Sequence, residues 1–452
     1  MNFIKTAFSG AQAAQAHLAG VAMNTANTLT PGYSRQKSLQ SAIGSTNNLS
    51  AGKGVQLEGF QRISDDYLVR QEWSAMSDKS YYEAKSHYFD GIEKTIASDE
   101  TSLSAGLDEF YNSLSSLSSA PDSMPPRVQF INDANSLAMR FNNINRAIEN
   151  QKVMINNQRE GIVNEVNTLL SGIAKDNHQI EKLIYSGGNV NEILDSRDQK
   201  IRELSQQLDI NVIKTDRGYL NVSLKDGSPL VDGMGASILE VKMSGNRFDG
   251  LQLKYANSTF DTSSSCGSQL GGINDYQAGA LQEIQDSTNN IAEQLAIAFN
   301  TQLQAGSDLT GTPGVNLFVF DRSNPTGVLK ITSIRPEQLA LATIGQPAGD
   351  NGNVTELLKS RHSGISALGS NSINDSSNMM VSNTAVKNRT NRINLNDKSA
   401  NLAFSTQQRE SVSGVDMNEE GKDLIGYQNL YQANVRVMNV GNKLFTDLLA
   451  LF

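Results

Sequence analysis

The sequence predicts a mainly α-helical protein with a β insert: terminal helices forming a coiled coil, a long helical-bundle rod domain and a small antiparallel β domain. Three observations carry this expectation. Apolar and small residues step by three and four at both ends. Phe141, Ile148, Ile155, Ile162 and Leu169 recur at strict seven-residue spacing, and short alternating runs crowd residues 208–260.

Residues 3–29 read as a nearly uncharged helix whose seam is Phe3, Ala7, Gly10, Ala14, His17, Val21 and Asn24. Thr30-Pro31-Gly32 ends it, because Pro31 disfavours a helical Thr30 and Pro-Gly favours a tight turn. Glycines 52, 54 and 59 among β-prone pieces make 34–62 an extended connector with a hairpin or two. Ser64-Asp65-Asp66 is a helix start with acids in the first turn, and the helix runs to about residue 97. A shorter helix, 103–120, stops before Pro121. From Val128 to about Ile184 the seven-residue repeat describes a helix on the order of 85 Å long, more rod than globule.

Beyond residue 208 the period changes to two. Segments 210–213, 219–222, 238–241 and 251–253 are separated by Arg217-Gly218, Asp226-Gly227, Asp232-Gly233 and Ser244-Gly245, the pattern of an antiparallel β insert. Helix returns over 276–304, strand candidates follow in 315–334, and helix resumes over 374–410. Ser413-Gly414-Val415-Asp416 interrupts it. The last helix, about 418–452, has the seam Tyr427, Leu430, Asn434, Val437, Gly441, Leu444, Leu448 and Leu451. The expected organisation is a terminal assembly domain (1–33 and 416–452), a helical rod domain (34–205, 268–305 and 350–415) and a β-rich outer domain (206–267 with 306–349).

Composition narrows the function. Apolar residues make up 38% and aromatics 6% of 452 residues, which suits long helices completed by neighbours better than one thick core. A net charge of −9 with no basic run longer than two residues argues against nucleic-acid binding. The single cysteine, Cys266, excludes an intramolecular disulfide and has no histidine near it in sequence to activate it. The four histidines are scattered, and no phosphate loop, nucleophile elbow or dinucleotide fingerprint occurs. Asp65/Asp66 and Glu419/Glu420 sit at helix starts, where the dipole explains them without catalysis. Asp308 to Gly314 lacks the alternating acids of a calcium loop and reads as a turn. No enzyme activity, cofactor or metal is expected. Polar residues such as Gln12, Gln15 and Asn24 break up every apolar run in Met1–Thr30, so neither a Sec signal nor a membrane span is expected there.

The terminal helices carry apolar residues off their seams as well, among them Phe8, Leu18, Leu424, Phe445 and Phe452. A helix pair buries one stripe of each helix, and surplus apolar surface marks a partner interface. The expected assembly interface is Phe3, Ala7, Phe8, Gly10, Ala14, Leu18, Val21, Tyr427, Leu430, Val437, Leu444, Phe445, Leu448 and Leu451. The alternatives are a hairpin closed by helices of the same chain, and an amphipathic membrane helix, which the lack of Lys and Arg on the polar faces disfavours.

Three collinear motifs resemble those of flagellar axial proteins. Asn24-Thr25-Ala26-Asn27 followed by Thr30-Pro31-Gly32-Tyr33-Ser34-Arg35-Gln36 resembles their N-terminal signature, in the Ser-Arg-Gln form of the hook-associated protein 1 family. Gly267 to Asp275, Ala296 to Asn300 and Asp308 to Gly314 are similar to that family's central motifs. Ser413 to Asp416, Glu419-Glu420, Tyr427 to Asn434 and Leu444-Phe445-x-x-Leu448-Leu449 are similar to the C-terminal signature. Thr25 stands where Ile is usual, Leu29 where a small polar residue is usual, and the β insert matches nothing in the pattern. The resemblance implies a ring of copies between hook and filament, with hook protein and the next hook-associated protein as partners. It also implies a chaperone on the C-terminal helix and flagellar type III export without cleavage. Another axial role, or a secreted enzyme or adhesin with flagellar-type ends, are the competing readings.

Overall fold

The structure, a computed structural model, describes residues 2–44, 52–98, 101–216, 218–245, 247–264 and 266–450, and is 63% helical. In chain order the elements are α1 (Asn2–Ala26), β1 (Gln36–Ile43), β2 (Gly54–Arg62), α2 (Asp66–Ala97), α3 (Leu103–Leu117), α4 (Met124–Ser186) and α5 (Asn191–Gln207). The β insert follows as β3 (Ile210–Lys214), β4 (Leu220–Leu224), β5 (Pro229–Asp232), β6 (Gly235–Ala236), β7 (Ile238–Ser244), β8 (Arg247–Tyr255) and β9 (Ser258–Thr262). Then come α6 (Ser268–Tyr276), a π turn (Gln277–Leu281), α7 (Gln282–Gln304), the short strands β10 (Gly306–Ser307), β11 (Phe318–Phe320), β12 (Leu329–Ile331) and β13 (Ala342–Thr343), α8 (Gly352–Lys359), α9 (Ile373–Ser413) and α10 (Met417–Leu449).

Two compact units form, one from Met1–Ser80, Ile162–Ser268 and Asp397–Phe452, the other from Tyr81–Gly161 and Gln269–Asn396. In the first, α1 packs antiparallel against α10 and also against the β1–β2 hairpin. The insert makes two antiparallel sheets, β3-β4-β5-β6 and β7-β8-β9, which dock on the second half of α4 through two asparagines. Asn177 donates to the carbonyls of Leu220 (3.0 Å) and Gly233 (2.7 Å) and accepts from the Leu220 amide (3.2 Å). Asn167 exchanges both bonds with the Leu239 backbone, at 2.9 and 2.8 Å. A carboxamide has the donor and acceptor of a peptide group, so each asparagine extends a sheet onto a helix. The apolar side of the same helix (Val166, Leu170 and Ile173) is buried.

In the second unit Phe110, Phe130, Phe299 and Phe318 cluster with ring centroids 4.8–6.3 Å apart. Asn300 pins β11 beside them by accepting from the amides of Leu317 (2.9 Å) and Phe318 (3.0 Å) and donating to the Phe318 carbonyl (2.8 Å). The Ala296–Asn300 motif is therefore structural: one ring for the core and one amide for the strand. Asp308 accepts from the amides and hydroxyls of Thr310 and Thr312, at 2.8–3.0 Å, which makes it the organiser of a turn. Its carboxylate titrates below the usual range: partial burial would raise it, but those four donors outweigh that.

The expected elements recur with shifted ends. α1 stops at Ala26, three residues before the expected end, and Asn27 closes it by donating to the Met23 carbonyl (2.9 Å). α3 stops at Leu117 instead of residue 120, and Asp65, not Ser64, accepts from the first amides of α2. The insert holds seven strands where four were expected, and α5 and α8 were not separately anticipated. α5 buries mostly polar residues (Asn191, Asp195, Arg197, Ser205 and Gln207), which carry no hydrophobic period, and α8 is only eight residues long.

Candidate assembly interface

α1 and α10 are in register over three heptads, at four successive contact levels. Asn24 donates to Glu420 Oε1 (2.9 Å), and the His17 ring stacks on Tyr427 with centroids 4.5 Å apart. Gly10 faces Asn434, and Phe3 with Ile4 covers Gly441. Each pair lies seven residues from the last along both helices, the spacing that keeps a seam closed along a left-handed supercoil. Proximity favours both glycines: an added Cβ would come within 2.5 Å of Ile4 Cγ1 at position 441, and at position 10 within 2.6 Å of Asn434 Oδ1, so that side chain would have to move. His17 is a packing residue, bonded to the Ser38 hydroxyl and, at 3.2 Å, to the Gln40 carboxamide.

The expected interface residues divide by exposure. Ala7, Ala14 and Val21 are buried within the chain, and Gly10, Leu18 and Tyr427 are half-buried. Phe3, Phe8, Leu430, Val437, Leu444, Phe445 and Leu448 are exposed, the last at 57%. Leu451, like Phe452, lies outside the described residues. A second stripe runs beside the seam, of which Leu424 and Phe445 alone stand out in the sequence. Met417, Leu424, Tyr431, Met438 and Phe445 repeat every seven residues on the flank of α10; four are exposed and Met438 is half-buried.

The N-terminal signature forms a polar hub where the helix pair meets the hairpin. Thr30 to Tyr33 is a type II turn: Tyr33 N–H donates to the Thr30 carbonyl (3.2 Å) and Gly32 takes φ +78°. The Asn27 carboxamide accepts from the Thr30 hydroxyl (3.1 Å) across the foot of that turn, whose Pro31 is exposed. Asn24 uses its whole carboxamide. Oδ1 accepts from the Gln36 amide and the Tyr33 hydroxyl, each 2.9 Å, while Nδ2 donates to the Gln36 carbonyl (3.0 Å) and Glu420. Ser34 N–H donates to Asp195 (3.1 Å), whose other oxygen lies 3.3 Å from Arg62 Nε. Arg35 N–H donates to the Ser413 carbonyl (2.8 Å), and its guanidinium pairs with Glu419. The Gln36 side chain accepts from Asn191 (3.1 Å).

Burial pushes the Tyr33 hydroxyl up to about 12, with the carboxylates of Asp195, Glu420 and Glu192 adding to it. Burial also raises Glu420 against the opposing bond from Asn24. Asp416 caps α10 by accepting from the amides of Asn418 (2.8 Å) and Glu419 (3.4 Å), so the Glu419-Glu420 pair stands in the first turn as a helix-start feature. Sequence reasoning found the signature residues but not Asp195 and Asn191 of α5 or Arg62 at the end of β2, to which nothing near the signature in sequence points. Among the described residues no group of His, Cys, Asp or Glu could hold a metal ion, and no helix is long and apolar enough to cross a membrane.

Residues 89–318, half of the chain, match the family described as the flagellar hook-associated protein FlgK helical domain. Flagellar hook-associated protein 1 of Escherichia coli is 24% identical, with 99% of both chains covered, and that of Bacillus subtilis is 26% identical, covering 98% of this chain and 96% of the relative. The solved flagellar hook junction protein FlgK of Burkholderia pseudomallei aligns with a TM-score of 0.50 and 22% identity, over 57% of this chain and 47% of that one, which bears on the fold alone. The collinear motifs, the mainly helical fold with its β insert and these likenesses agree: the chain belongs to the FlgK family of flagellar hook-associated proteins, structural subunits of the bacterial flagellum and not enzymes.

Proposed function

We propose that the chain joins hook to filament by assembling with copies of itself through α1 and α10. The single observation that carries this reading is the second, exposed heptad stripe of α10 beside the line of Glu420, Tyr427, Asn434 and Gly441 that α1 covers. A seven-residue stripe runs parallel to the supercoiled pair and so accepts another helix along its length. The neighbour is a second copy, flanked by hook protein below and the next hook-associated protein above, in a ring. Before assembly so much apolar surface on one helix favours aggregation, which supports a chaperone on α10 during flagellar type III export without cleavage. The three-part division, with 1–33 and 416–452 as the assembly domain, belongs to the same proposal, as do the interface residues.

Imaging of a tagged, functional chain tests the reading. Signal confined to the boundary of hook and filament, together with restored filament growth in a strain lacking its own junction protein, is the expected result. Signal along the whole filament, or failure to restore growth, would contradict it.

A further inference from the structure

A cavity of about 190 Å³ opens between the start of α2, α5 and the strands β3 and β4. Four cationic side chains line it: Arg62, Arg70, Arg197 and Lys214. Two are already neutralised. Arg62 pairs with Asp195 and Asp198, and Lys214 with Asp66 at 3.0 Å. The other two are not. Arg70 is exposed and has no carboxylate partner among the described residues. Arg197 is 3% exposed; its Nη1 donates only to neutral oxygens, Asn177 Oδ1 and the Gly218 carbonyl, both at 3.0 Å. Its Nε is buried without any partner. A buried guanidinium with an unused donor and no ion-pair partner is costly: burial, together with the like charge of Arg62, weakens its hold on its proton against the opposing pull of the Asp198, Asp176 and Asp66 carboxylates.

We propose that this cavity binds a small oxyanion of the phosphate class, held by Arg197 and Arg70. The planar forks of two arginines suit a tetrahedral oxyanion, and the Ser64 hydroxyl on the cavity wall supplies a further donor. The space exceeds what one water molecule needs, so the anion enters with part of its hydration. Its position ties the start of α2 to α5 and the β3-β4 hairpin, so occupancy stiffens the base of the β insert. Nothing in this inference depends on the assembly reading.

Trp73, the only tryptophan of the chain, lines the same cavity and reports on it. Inorganic phosphate titrated into the full-length protein at constant ionic strength is expected to change Trp73 emission saturably and to raise the unfolding temperature, where chloride does neither. Arg70→Gln, on an exposed helix position, should keep the fold and weaken phosphate binding about tenfold or more. Lys254→Gln on β8, outside the cavity, should leave it unchanged. If phosphate and chloride act alike on both readouts, or if Arg70→Gln binds as tightly as the parent, the cavity holds water alone and the inference is wrong.

Discussion

Replacing Leu444 and Phe445 together by aspartate is expected to abolish incorporation into the flagellum and leave the monomer folded. Both side chains are exposed, at 53% and 42%, so the isolated chain loses little packing. The register explains why they lack a partner. Phe3 sits at Gly441, so the turns of α10 beyond it overrun the start of α1 by about eight residues, on the order of 12 Å. If a neighbouring copy covers this overhang, each side chain contributes about 1.5–3 kcal/mol on burial. An aspartate buried there unpaired costs more still. The double variant should therefore weaken self-association at least about a hundredfold. The check is filament growth in the complemented deletion strain, beside circular dichroism and unfolding temperature of the purified chain. Normal growth with both aspartates present would remove the overhang from the interface.

Asn24→Ala is expected to have the largest effect of any single substitution in the signature. It orphans the amide and carbonyl of Gln36 and leaves Glu420 without its donor, in a site that is buried. Stranded polar groups of this kind cost about 1–3 kcal/mol each, and the turn relaxes to recover part of that, so a loss of about 3 kcal/mol is expected. Because the hub joins α1 to α10, the loss should appear as faster amide exchange throughout α10, while the α7 amides keep their protection. Glu420→Gln gives the opposite sign. Burial raises the folded-state value of this carboxyl above its unfolded one, so the native state binds more protons and stability falls as pH rises through that window. A neutral glutamine can still accept from Asn24 without that penalty. Its unfolding temperature at pH 7 should match or exceed the parent's, and the pH slope between the two values should flatten.

The long periodic elements were legible because their physics is local. A strict heptad such as Phe141 to Leu169 needs no knowledge of what it packs against, and α4 runs unbroken from Met124 to Ser186. The Pro31-Gly32 turn likewise follows from the conformations those two residues allow, and the structure has it as a type II turn. What stayed hidden were partnerships between distant residues. Nothing near Asn24 in sequence points to Glu420, 396 positions on, and nothing near Asn177 or Asn167 marks them as the docking groups of the β insert. Polar residues in a helix ordinarily face water; Asn24 and Asn177 are buried and Asn167 half-buried because a carboxamide can stand in for a backbone group. The exposed stripe of α10 was partly visible, through Leu424 and Phe445, but its full period emerged only when the α1 seam had been subtracted from it. Composition hinted at the same point, since few aromatics and many amides suit helices that depend on neighbours.

The central claim is that the apolar flank of α10 is open in one chain and covered in the assembly. Carbene footprinting of the purified monomer and of intact flagella reads this directly at Leu424, Tyr431, Leu444 and Phe445. The account predicts strong labelling of all four in the monomer and loss of that labelling in flagella. Equal labelling in both states would contradict it.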